Sequence, residues 1–167
     1  AHHVQVSADP RNPVAAYPLW LHLTHDNFDH HDPLTANLQA VNLASVGFLT
    51  PLKGATTKFT PLIQSSDLAM PIDGEEARSK IQPQQLMASI RATGEHYVIA
   101  ARVSGPVKTA FPNGPAPPAA NASPLPAQTK ASKADANIIV VADTDILDDR
   151  FWVRVQDLYG KRLASTF

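Results

Sequence analysis

The alternation of apolar and polar positions divides this chain into short segments, each closed by proline, glycine or a polar run. Tyr17–Leu23 (YPLWLHL) is apolar and aromatic and predicts a strand, with Pro18 near its start. Asp32-Pro33 sets a capping residue before a proline suited to the first helical position. Leu34, Leu38 and Val41 follow at helical spacing, which predicts a short helix. Ala44–Leu49 and Lys58–Ile63 predict strands, with Pro61 marking an edge or a bulge, and Ala69–Ile72 reads as another short strand. Gln82–Ala92 carries Leu86, Met87 and Ile90 on one helical face, and Pro83 is tolerated in its first turn. His96–Val103 (HYVIAARV) predicts a strand. Asn137–Ala142 (NIIVVA) carries the unbroken apolar run Ile138–Ala142, as in strands buried on both faces of a parallel sheet. Phe151, Val155, Leu158 and Tyr159 share a helical face, with Gly160 at the expected helix end. The elements describe an α/β protein without internal repeats.

Composition changes this picture at one place. Six of the 15 prolines fall between Pro112 and Asp135, beside seven alanines and a single leucine. Proline removes backbone donors and fixes φ, so 112–135 reads as a Pro/Ala-rich loop insertion in an extended, polyproline-like state. A proline-rich docking ligand is the sharper reading of the same stretch. Asn121-Ala-Ser123 matches a glycosylation sequon, which matters only in a eukaryotic secretory context.

The 167 residues suit one domain, residues 1–167. The start at Ala1, without an initiator methionine, reads as a segment cut from a longer protein. The net charge of -1 argues against a nucleic-acid partner, which would need a surplus of Lys and Arg. No cysteine is present, which excludes a disulfide framework, a thiolate metal site and a cysteine nucleophile within these residues. No Gly-rich phosphate loop and no GxSxG elbow occurs, and no cofactor is expected.

Three groups of residues carry candidate chemistry. In IIVVADTDILDD, Asp143 and Asp145 sit at the carboxyl end of an apolar strand, where ligands bind in open α/β sheets. With Asp148 and Asp149 they are ligand or cation candidates. The string hhhhDxD resembles the opening motif of haloacid-dehalogenase-type phosphatases, which would make Asp143 the nucleophile and Asp145 the acid/base. Leu147 departs from that motif, and the family's downstream residues have no counterpart among the 24 that follow Asp143. The bland reading is that these aspartates cap turns. Second, His22, His25, His30 and His31 lie among Asp26, Asp29 and Asp32 and are metal candidates, against a reading as incidental polar residues of a connection. Third, Trp20 and Trp152 are core or interface anchors. Glu75 and Glu76 fit a solvated helix start rather than a catalytic pair.

Five segments in order, YPLWLHLTHDNFD, DPLTANLQAVNLASVGFL, FTPLIQSSDLAM, GEHYVIAARVSGPVKTAFPNG and ANIIVVADTDILDDRFWVRVQDLYGKR, resemble the extracytoplasmic region of gliding-motility-type (Gld-type) auxiliary proteins of ABC transporters. The resemblance implies a periplasmic domain of a bacterial inner-membrane protein, anchored outside this segment, with the ABC permease and ATPase as partners. It also implies a partial Rossmann-like or glutamine-amidotransferase-like sheet, with short extra strands and the proline-rich insertion. Because the amidotransferase cysteine is lacking, it implies a binding or scaffolding role rather than catalysis.

Overall fold

A computed structural model describes residues 2–6, 15–79, 83–114, 128–149, 153–158 and 160–166. The strands are β1 (His2–Val6), β2 (Ala15–Thr24), β3 (Ala40–Ala44), β4 (Lys58–Gln64), β5 (Val98–Gly105), β6 (Ala136–Val141), β7 (Val153–Leu158) and β8 (Lys161–Thr166). Two short helices, α1 (Gly74–Arg78) and α2 (Pro83–Ser89), lie between β4 and β5. The strands form a sheet in the order β1-β2-β3, a sheet in the order β4-β5-β6 and the hairpin β7-β8.

The mixed α/β class stands, but every described strand pair is antiparallel, so none is of the kind that builds a Rossmann-like or amidotransferase-like sheet. The physical reason is visible in β6. Its apolar run was expected to be buried on both faces, yet it is the edge of its sheet, with Ile138 and Ile139 42% and 40% exposed. An apolar run alone does not distinguish a buried parallel strand from an antiparallel edge. The doubly covered strand is β5, where Ile99, Ala100 and Ala101 are all buried.

The core cluster draws Leu23, Val41 and Leu43 from the first sheet and Leu62, Ile63, Ile99 and Ala100 from the second, with Phe28 between them. Backbone bonds join the two sheets, including Asp29 N–H to the Leu62 carbonyl (2.9 Å) and Gly47 N–H to the Ala142 carbonyl (2.8 Å). Apolar burial makes the interface, and these bonds fix its register.

Proline placement follows from missing donors. Pro61 lies in edge strand β4 at a register irregularity, as its sequence position predicts. Pro18 lies in the central strand β2, where a proline is disfavoured. The β1 register there steps from Leu21 to Tyr17, and the β3 ladder begins at Trp20, so Pro18 has no ladder partner on either side.

Four expected elements differ. The predicted helix after Asp32 is a run of turns, and Val41 belongs to β3. The Asp32 carboxylate accepts from Leu34 N–H and binds Arg102, which pins a turn instead of starting a helix. The strand expected at Ala44–Leu49 is instead Ala40–Ala44, because Ser45 adopts φ 54 and leaves the extended region. Residues Ala69–Ile72 are irregular. The helix expected at Phe151–Tyr159 is strand β7, since Val153 and Val155 alternate with Arg154 and Gln156. Gly160, at φ 77, turns the chain into β8. Left-handed backbone at a non-glycine residue costs about 1–2 kcal/mol, offset in part by the roughly 0.5–1 kcal/mol of extra freedom that glycine has when unfolded. Ser45→Gly is therefore expected to raise stability by up to about 1 kcal/mol, read as a higher urea midpoint at unchanged slope. A lower midpoint would show that the seryl side chain is itself needed.

Candidate functional site

Between β2, the turn after β3 and the segment that follows β4 lies an apolar cavity of about 420 Å³. The start of β2 supplies Pro18, Leu19 and Leu21, and the turn after β3 supplies Ser45 to Phe48. Opposite them runs an irregular segment from Ser65 to Ile72, followed by α1, whose Ala77 also faces the cavity. This segment has no sheet ladder of its own, so its backbone is tied down piecemeal. Ser65 N–H donates to the Tyr97 carbonyl (2.9 Å), and Thr93 N–H to the Ala69 carbonyl (3.2 Å). Asp73 caps α1 by accepting from the backbone N–H groups of Glu75 and Glu76 at 2.8 and 3.3 Å. Phe48 and Tyr97 pack edge to face, with ring centroids 5.2 Å apart, and form an aromatic wall.

The lining contains no carboxylate, histidine, lysine or arginine among the described residues. Its polar side chains are Ser45, Ser65 and Tyr97. Ser65 Oγ donates to the Ser66 carbonyl (3.0 Å) and accepts from Tyr97 N–H (2.9 Å). The Tyr97 hydroxyl donates to Thr93 Oγ1 at 2.9 Å. The arrangement offers shape and apolar surface.

The aspartates after β6 are placed differently. Asp143 is buried; its Oδ2 accepts from Ala44 N–H (3.2 Å) and its Oδ1 from Asp145 N–H (2.8 Å). The carboxylate thus staples the end of β3 to the turn after β6. Burial pushes its pKa up, while the backbone donors from Asp145 and Ala44 pull it down. Asp145 and Asp149 are exposed, and Asp148 is half-buried. Among the described residues no group of three or more His, Asp or Glu side chains is placed to hold a metal ion.

The histidines divide among local partners. His22 Nδ1 lies 2.7 Å from Asn42 Oδ1 across the β2–β3 pair. The His25 and His30 rings stack with centroids 3.7 Å apart, and His30 Nε2 meets the His25 carbonyl at 2.9 Å. His31 Nδ1 lies 3.2 Å from Asp29 Oδ1. Trp20 is half-buried on β2 and packs edge to face with Tyr17 (5.8 Å). Trp152 lies outside the described residues.

Two features have no counterpart in the reading of the sequence. One is the cavity, whose residues come from five separate stretches of chain. The other is a chain of side chains in which Arg102 donates from Nε and one terminal nitrogen to both Asp32 oxygens, each at 2.7 Å, and from the other nitrogen to Asn137 Oδ1. The Arg102 guanidinium holds the Asp32 carboxyl below the usual carboxylate range, with help from Leu34 N–H. A lone arginine within the apolar strand HYVIAARV was the available signal, since a half-buried charge requires a partner.

Comparison with protein families places the chain among the auxiliary components of ABC-type transport systems. The family, described as an ABC-type uncharacterized transport system, matches residues 1–167, and the chain belongs to it. No curated protein and no solved structure matches the chain. Among the described residues no helix is long and apolar enough to cross a membrane.

Proposed function

We propose that the chain is a non-catalytic binding or scaffolding module of a gliding-motility-like ABC-type export system, held on the periplasmic side of the inner membrane. The permease and ATPase of that system are its partners. The observation that supports binding over catalysis is the cavity: among the described residues it is shaped and apolar, and it carries no carboxylate, histidine, lysine or arginine. Family membership and the resemblance of the ordered segments support the transport context.

The absence of cysteine gives a direct test of location. Leu52 is 81% exposed, so Leu52→Cys adds a reachable thiol at little structural cost. A membrane-impermeant maleimide should label the Leu52→Cys protein in intact cells above the level of the unsubstituted protein. Labelling that requires lysis overturns the periplasmic placement. Affinity purification of the tagged, full-length protein should bring down the permease and ATPase of one ABC system. Recovery without either subunit overturns the partnership.

A further inference from the structure

Resting on the binding reading above, we infer that the cavity receives a hydrocarbon chain, the acyl tail of a lipid or lipid-linked molecule, with the polar end of the ligand met at Ser45. The volume of about 420 Å³ lies within the range of small-molecule pockets. The chemistry of the walls selects the class. A peptide segment would bring one N–H and one C=O per residue into the cavity, and each needs a partner once out of water. The side chains of the walls have little to give. Ser65 Oγ is already bonded to the Ser66 carbonyl and Tyr97 N–H, and the Tyr97 hydroxyl to Thr93. A hydrocarbon chain makes no such demand. No charged side chain lines the cavity among the described residues, so an ionised headgroup stays outside it.

The rim supplies the remaining observations. Phe48 and Leu68 both line the cavity while being 48% and 67% exposed, which leaves apolar surface that an inserted chain would remove from water. Ser45 is the one described non-glycine residue with a positive φ, and it also lines the cavity. Backbone strain of this kind concentrates at sites where a ligand is handled. Its amide is tied to the Leu19 carbonyl (2.7 Å), which fixes the residue while leaving the hydroxyl to meet an ester or amide oxygen. Met70, also in the lining, is an unbranched and adaptable side chain suited to chains of different shape.

The test is calorimetric titration of the purified protein with non-ionic alkyl glucosides of six to twelve carbons, below their micellar concentrations. Affinity should rise about fourfold per added methylene until the cavity is filled, and then level off. Equal affinity along the series overturns the inference. So does tighter binding of an uncharged apolar decapeptide than of the longest alkyl chain, which would make the occupant a peptide. Ala77→Trp fills the cavity and should weaken binding at least tenfold. Should that variant not fold, methyl NMR of the unsubstituted protein decides. The chain has two methionines, of which Met70 lines the cavity and Met87 does not. The Met70 methyl signal should shift on titration while that of Met87 stays, and the reverse pattern counts against the cavity. Binding without recovery of ABC subunits removes the transport reading and leaves the acyl site. Recovery of the subunits without binding does the opposite.

Discussion

Leu23→Ala is expected to destabilise the protein by about 2–5 kcal/mol, enough to leave a marginal domain largely unfolded. Leu23 is 0% exposed and sits on β2, the central strand of the first sheet, paired with Val41 on β3. It belongs to the cluster in which both sheets meet, with Phe28 and Leu62 among its members. Removing the isobutyl group loses its transfer free energy, and the void persists because strand backbones on both sides are pinned by the inter-sheet hydrogen bonds. Leu52→Ala is the control: at 81% exposed, it should change stability by less than about 0.5 kcal/mol. Urea denaturation followed by circular dichroism gives both values. A Leu23 effect no larger than the Leu52 effect would mean that the two sheets do not share this core.

Asp143→Ala has the second largest expected effect, about 1–3 kcal/mol, because it strands the Ala44 N–H and opens the turn that Asp145 N–H closes. Asp143→Asn should fall between the variant and the unsubstituted protein, since its single oxygen can serve only one of the two donors. The acid dependence carries a sign. Burial raises the folded pKa of Asp143, so the stability its protonated form gives is fully present below the unfolded value of about 3.9. That part is lost as pH rises from there through the folded pKa. Arg102 lowers the folded pKa of Asp32, so the contribution of that pair is present above about 3.9 and lost as pH falls through the lowered value. Denaturation between pH 3 and 7 should therefore show the deficit of Asp143→Ala shrinking as pH rises above about 4. The deficit of Asp32→Asn should shrink as pH falls below it. Parallel trends in the two variants would contradict these assignments.

What the sequence revealed depended on whether the signal was local. Pro61 and the strand around it, the helix opened by Pro83 and the strand HYVIAARV were legible because apolar alternation and proline act within a few residues. NIIVVA and Val153–Leu158 were misread because one apolar run fits several environments, and only the neighbouring strand decides which. The aspartates showed a similar mixture. Asp143 does cap a turn, as the bland reading held, but its bond to Ala44 spans 99 positions and has no local trace. The cavity lay further from reach, since each lining residue reads as ordinary apolar chain until Ser45, Ser65 and Tyr97 are brought together.

The connection between β5 and β6 is closed well before its proline-rich middle. Lys108 and Ala131 form an antiparallel bridge, with Thr109 N–H to the Lys130 carbonyl (3.0 Å) and Ser132 N–H to the Val107 carbonyl (2.9 Å) on either side. Below it, Arg102 on β5 grips Asn137 on β6. Register between the two strands is therefore set beneath the bridge, whatever length of chain lies beyond it. Loop-closure entropy grows only logarithmically, about 0.6 kcal/mol for each doubling of a flexible loop. The alignment of β5 with β6 is thus independent of the number of residues that the connection carries beyond the bridge.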